Sequence, residues 1–326
     1  MPKTDSASFA PHTQGDSVWV PTTDGRALHA MVLPGPRDSA APTVVFESGA
    51  AVNRSLWALV QPLVGQWSRA IVYDRSGLGR SAPDPDSRTL ARMTEDLGAV
   101  LDHFGPGPYV LVGHSAGGPI TRGAAAANPA RVAGLVLVDP TEEGQNALYS
   151  REFRAFERRM LKVLVLAARA RVLPVFYRST LRALPQDARA DMRTEGFTAQ
   201  AMRTFVAQQQ TFIDELAEYR EHPPELGDLA VTVISAGRAG NGVSPKLRAP
   251  LNALHAHSAT RSPRGRHVVA ERSDHYVLLC EPHVVAEEVR RLVDTTGPWQ
   301  GDGSRPDSAD ADTGGVTEEI SPNGSV

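Results

Sequence analysis

A hydroxyl, an imidazole and a carboxylate held in line can transfer an acyl group. In this chain the residues around Ser115 are the strongest sign of that chemistry. Gly113-His114-Ser115-Ala116-Gly117 follows the apolar run Tyr109-Val110-Leu111-Val112 and precedes a small-residue, helix-like stretch over 118–127. G-x-S-x-G between a strand and a helix is the setting of a nucleophile elbow. The turn is so tight that side chains at 113 and 117 would collide with neighbouring backbone. It lifts the Ser115 hydroxyl clear of the sheet and points the Ala116 N–H toward the oxygen of a bound carbonyl. The bland alternative is a chance glycine-rich turn.

A serine hydroxyl is a poor nucleophile until a neighbour takes its proton, and histidine suits that task at neutral pH. Ten histidines are available. His255 and His257 read as surface residues of a helix, because a metal site would want further ligands nearby. His114 belongs to the elbow and reads as packing. The single cysteine, Cys280, rules out an intramolecular disulfide. Within Val277-Leu278-Leu279-Cys280 it reads as a buried apolar thiol.

The elements that must position these residues alternate. Segments 17–21 and 27–33 read as a hairpin around Asp24-Gly25. Strands are expected at 42–46, 70–73, 109–112, 132–138, 229–235 and 267–270. Helices are expected at 56–64, 90–104, 118–127 and 282–293. Such alternation predicts an α/β fold with a mostly parallel, doubly wound sheet, whose ligands bind at the carboxyl ends of the strands. The stretch 143–222 breaks the rhythm, with helical patterns and no convincing strand. It is too long for a loop and reads as a helical cap inserted between core segments 17–142 and 223–296. Residues 151–171 carry seven basic and two acidic side chains among apolar ones. They read as a cap helix with a solvated basic face, or as a helix touching anionic lipid or an acidic partner.

Composition excludes some classes. With 326 residues and a net charge of −3, nothing favours nucleic acid as a partner. No run of about eighteen uninterrupted apolar residues exists, so no membrane span is expected. Residues 1–16 lack an apolar leader and read as a disordered arm, which makes the expected location cytoplasmic. Residues 297–326 carry six acids against one base and read as a disordered acidic tail.

Three motifs together resemble the α/β-hydrolase superfamily over about residues 17–296. They are the elbow, the loop Tyr73-Asp74-Arg75-Ser76-Gly77-Leu78-Gly79-Arg80-Ser81 and the late Ser273-Asp274-His275-Tyr276. The resemblance implies a serine nucleophile at Ser115 and a base at His275, in the order Ser…acid…His. It offers two places for the acid. The loop 236–242, after the strand at 229–235, holds no carboxylate, which leaves Asp139 at the end of the strand 132–138, with Glu142 and Glu143 as alternatives. Asp274 adjoins the base and is poorly placed to reach around to its Nδ1. The second oxyanion donor is expected from Glu47-Ser48-Gly49-Ala50-Ala51, as the Ala50 N–H beside that of Ala116. Many relatives have His-Gly where this chain has Ser48-Gly49. The loop 74–81 reads as structural, with Arg75 paired to a carboxylate.

The implied function is cofactor-independent serine hydrolysis of an ester or lactone of a small to medium apolar molecule. An amidase, a carbon–carbon bond hydrolase and a non-catalytic ligand receptor are the other readings. Phe153, Phe156, Met160, Phe176 and Phe212, all within 143–222, are candidates for the lining of the substrate pocket.

Overall fold

Eight apolar segments become the strands of one sheet: β1 (Asp16–Pro21), β2 (Ala27–Leu33), β3 (Thr43–Glu47), β4 (Ala70–Tyr73), β5 (Tyr109–His114), β6 (Val132–Val138), β7 (Ala230–Ala236) and β8 (Gly265–Ala270). Eleven helices accompany them among the described residues: α1 (Gln61–Val64), α2 (Leu90–Phe104), α3 (Gly117–Ala127), α4 (Arg151–Arg169), α5 (Leu173–Phe176), α6 (Arg178–Ala183), α7 (Gln186–Asp191), α8 (Ala199–Glu221), α9 (Pro245–Ala259), α10 (Val277–Cys280) and α11 (Pro282–Thr296). The computed structural model describes residues 11–37, 39–86 and 88–296. The expected tail at 297–326 lies outside them.

Strand order is β1-β2-β4-β3-β5-β6-β7-β8. β1 and β2 pair antiparallel, as do β2 and β4, and every later pair is parallel. The central strands are buried on both faces, and their alternate residues feed two separate cores. Val110 and Val112 of β5 join one core with α1, α10 and α11. Tyr109 and Leu111 join the other with α2 and α3. Helices on both faces leave the carboxyl edge of the sheet open for a site.

The expected helix at 56–64 is shorter than predicted, with a 3₁₀ turn over Arg54–Trp57 followed by α1, which has proline near its start. α9 has proline inside it, Pro250, and weak apolar periodicity, which hides it in the sequence. Residues 11–16 are not a disordered arm. Thr13 donates its backbone N–H to Asp187, and the Gln14 amide, wholly buried, donates to the Arg54 carbonyl at 3.1 Å.

Within 143–222 every described element is helical. This segment is tied to the loop 74–81 by charge and hydrogen bonds. Arg54, fully buried, reaches Asp74 and Glu195 through one nitrogen and Asp191 through the other, at 2.6–2.7 Å. Arg80 meets the same Glu195 and Asp191. The Thr204 hydroxyl donates to the Gly77 carbonyl at 3.0 Å. A buried cation with three carboxylate partners offsets its desolvation only if all of them are kept, so the two parts are held in one relative position.

Candidate active site

Ser115 stands at the end of β5 with φ of 54°, in the left-handed region that non-glycine residues rarely occupy. Its neighbours make room for that turn. A Cβ at Gly113 would lie 2.6 Å from the Gly117 carbonyl oxygen, and one at Gly117 would lie 2.6 Å from that of Glu47. The elbow is therefore wedged against the end of β3. Ser115 donates its hydroxyl proton to His275 Nε2 at 3.0 Å. His275 Nδ1–H donates to Asp139 Oδ2 at 2.7 Å. The carboxylate only accepts, so it fixes the imidazole as the tautomer whose Nε2 is free to take a proton.

Asp139 leaves β6 at a positive φ of 41° and is fully shielded from solvent. Besides His275 it accepts from the Ala236 N–H at 3.0 Å and from both terminal nitrogens of Arg248, at 2.6 and 3.0 Å. Burial alone would raise its pKa. The hydrogen bonds from His275 and Arg248 outweigh that and hold the carboxyl below the usual carboxylate range. Arg248 lies on α9, and no feature of the sequence marks it. Glu143 instead pairs with Arg122 and Arg261, and Glu142 lies 3.7 Å from Arg122, so neither faces His275. Asp274 accepts from the Tyr276 N–H and the Asn241 amide, closing its own turn.

Arg75 does pair with a carboxylate, Glu47, and it does more. It also donates to the carbonyls of Ser48 and Gly49, the latter at 2.6 Å. In a trans peptide the N–H of the next residue points opposite to the carbonyl, so Ala50 N–H points away from Arg75. Neither Ala50 N–H nor Ala116 N–H has a hydrogen-bond partner among the described residues. A Cβ at Gly49 would lie 2.9 Å from His114 Nδ1 and 3.3 Å from Ser115 Cβ, so only glycine allows the loop this close to the serine.

One cavity opens at the serine, and a second begins at the loop that carries Ala50. The first, of about 170 Å³, is lined by Ser115, His275 and Asp139 with Leu148, Phe153 and Leu251. The second, of about 140 Å³, begins at Ala50 and Asn53 and is walled by Leu164, Leu173, Tyr177 and Phe205. Of the five side chains expected to line the pocket, Phe153 does so. Phe156, Met160 and Phe176 stand exposed on the outside, and Phe212 is buried in the core with α2 and α3. Leu148, Leu251 and Leu164 are the lining residues that the sequence does not single out. Asn53 is nearly inaccessible, and neither polar atom of its amide has a partner among the described residues.

Two other histidines support the site from within. His114 donates Nε2–H to the His275 carbonyl at 2.9 Å, and burial, aided by the nearby His275, pushes its pKa down to about 3. His255 is not a surface residue. It is fully buried, donates Nε2–H to the Pro140 carbonyl and accepts from the Ser235 hydroxyl, and burial pushes its pKa down to about 4. His257 is exposed, and so is Cys280, because the turn of α10 carries it away from Val277 and Leu278. Among the described residues no group of three His, Cys, Asp or Glu side chains is placed to hold a metal ion.

The two buried histidines predict how stability depends on pH. Below the ordinary histidine value of 6.5 the unfolded chain binds protons that His114 and His255 refuse in the folded protein. Their contribution to stability therefore falls as pH drops, by about 1.4 kcal/mol per pH unit for each group until its folded value is approached. Asp139 and Asp74, both lowered in the fold, add to the loss only below about pH 4. Glu142, which burial raises to about 7, acts in the opposite sense over the same range. The histidine contribution is therefore read from a pair: in urea unfolding between pH 6.5 and 4.5, His114→Asn should gain on the parent by about 1.4 kcal/mol per pH unit as pH falls. Parallel profiles of parent and variant would contradict the buried neutral state of His114.

Comparison with known proteins gives a consistent picture. The model of the alpha/beta hydrolase family matches residues 44–288. An esterase of Mycobacterium tuberculosis is 30% identical over 271 residues, covering 78% of this chain and 84% of that one. An uncharacterized Bacillus subtilis protein is 31% identical over 128 residues, 38% of this chain and 49% of that one. With curated relatives of this second kind the match spans half of their length or less. Among solved structures, a thermophilic esterase from Thermogutta terrifontis superimposes with a TM-score of 0.63 at 20% identity, covering 86% of this chain and 99% of that one.

Proposed function

Because this chain belongs to the α/β-hydrolase family, we propose that it is a hydrolase that cleaves an ester or lactone of a small to medium apolar molecule through an acyl-enzyme at Ser115. The observation that carries this reading is the relay from Ser115 through His275 to Asp139, at 3.0 and 2.7 Å, opening on an apolar cavity. Ser115 Oγ attacks the carbonyl carbon while His275 Nε2 takes its proton. The carbonyl oxygen gains charge and is met by the Ala50 and Ala116 N–H groups, each worth about 3–4 kcal/mol in such a role. His275 then protonates the leaving alkoxide. In the second half it takes a proton from water, which attacks the acyl carbon and frees Ser115. Asp139 stays ionised throughout and stabilises the imidazolium. No step calls for a cofactor.

The helical segment 143–222 acts in this reading as a cap that shapes the substrate cavity. An alcohol leaves more easily than an amine, and the apolar walls favour hydrocarbon over charge. Neither cavity is large, so short acyl chains should fit better than long ones. A panel of nitrophenyl esters of rising chain length, with lactones and anilides, tests this directly. Short esters should be the best substrates and anilides the worst. A fluorophosphonate should label Ser115. Leu148→Ala or Leu251→Ala should shift chain-length preference by about ten- to a hundred-fold while labelling persists, since one pocket methylene is worth about 1–3 kcal/mol. No labelling, or anilides cleaved faster than esters, would overturn the reading.

A further inference from the structure

Among the described residues eight large apolar side chains are exposed, and seven of them fall within 156–176. Phe156 is 59% exposed, Leu166 62%, Val175 65% and Phe176 73%. On α4, Phe156, Met160 and Val163 recur at helical spacing and form a stripe. Leu161 and Ala168, on another face of α4, are buried. Arg158, Arg159, Lys162 and Arg169 are exposed on the same helix, Arg171 on the turn after it, and Arg178 and Arg182 on α6. Between 151 and 182 nine basic residues face only two acidic ones, in a chain whose net charge is −3. The basic character of this stretch is visible in the sequence; that its apolar residues point outward is not.

We propose that this arm of the cap docks on an anionic lipid surface, its apolar stripe entering the interface while its arginines and lysine pair with headgroup phosphates. A helix with an apolar stripe and a basic flank lies in the plane of a bilayer surface, its stripe about 5–10 Å deep in the headgroup region. Water is a poor medium for so concentrated an apolar patch. A second copy is a poor cover for it. A symmetric pair sets the same patch of each copy against itself, and here that would bring two strongly basic arms together. Anionic headgroups supply the opposite charge. The arm lies on the surface and does not cross: among the described residues no helix is long and apolar enough to span a bilayer. The inner face of α4 supplies Phe153 to the cavity at the serine and Leu164 to the one that begins at Ala50. Docking would thus place the cap wall of the substrate site against the lipid. This inference goes beyond the ester-hydrolase reading and is tested without it.

The test is flotation of the full chain with vesicles of phosphatidylcholine alone and of phosphatidylcholine mixed with phosphatidylglycerol. The protein should float with the anionic vesicles, leave them as salt is raised, and bind the neutral ones far more weakly. Each basic side chain near the surface contributes about five-fold to partitioning. Arg158→Glu with Arg159→Glu and Lys162→Glu should therefore lower it more than a hundred-fold. Val163→Ser with Leu166→Ser and Val175→Ser should also abolish flotation. All six side chains are exposed, so thermal melts should stay unchanged. Absence of binding to anionic vesicles would overturn the proposal, as would both variants binding like the parent. So would a parent dimer that ignores vesicles and is dispersed by the serine substitutions, since the stripe would then be a contact between copies.

Discussion

Replacing Ser115 by alanine should lower ester turnover by about 10⁶-fold, the scale of loss when the serine of such a constellation is removed. The hydroxyl has one side-chain partner, His275, and lines the cavity without bracing any other element. Alanine keeps the Cβ that the elbow already accommodates at its positive φ, so the melting curve should overlay that of the parent. Fluorophosphonate labelling should vanish with the activity. Rate above the uncatalysed level should persist only as far as the amides of Ala50 and Ala116 and substrate binding can supply it, about 10³–10⁴-fold. A Ser115→Ala protein that keeps more than a tenth of its activity would mean that the nucleophile is elsewhere.

Much of this arrangement is legible in the sequence because it is local. Strands buried on both faces are largely apolar, so the runs 44–46, 109–112 and 132–138 announce strands whose observed ends differ from the expected ones by one or two residues. The elbow is five consecutive residues whose glycines have one steric purpose. Asp139 follows its strand directly. His275 is harder to see, since ten histidines compete, and it needs the family's order of elements to stand out.

What escapes the sequence is what the fold brings together from afar or chooses between two faces. Arg248 is 109 residues from Asp139. It sits on a helix with an internal proline, in no motif, and only the packing of α9 against β7 carries it to the carboxylate. α4 has two apolar stripes, one through Phe153, Leu161 and Leu164 and one through Phe156, Met160 and Val163. Periodicity alone cannot say which of them meets the core, and large aromatic size is no guide. The stripe with Phe153 turned inward. His255 looked like a surface residue because its partners, Ser235 and the Pro140 carbonyl, lie on other strands and loops.

The exchange Asp139→Asn should cost about 10⁴-fold in turnover, the loss seen for the same change in an unrelated Ser-His-Asp constellation. The surroundings of Asp139 say how. Oδ1 accepts from the Ala236 N–H and from Arg248, so an asparagine must place its carbonyl oxygen there. Its amide nitrogen then falls at the Oδ2 position, facing His275 Nδ1 and the other nitrogen of Arg248. An NH₂ group there donates to Nδ1 and forces the proton of the imidazole onto Nε2. His275 can then no longer accept the proton of Ser115. Arg248 also loses one acceptor and the neutralising charge, so a loss of stability should accompany the loss of rate. Turnover and melting should be measured together, with Glu142→Gln and Glu143→Gln as references. Glu142 and Glu143 are buried beside Arg122, so their variants should melt earlier yet keep turnover within about ten-fold below that melting point. If Asp139→Asn were the mild change and one of the glutamate variants the crippling one, the carboxylate that orients His275 would be that glutamate and not Asp139.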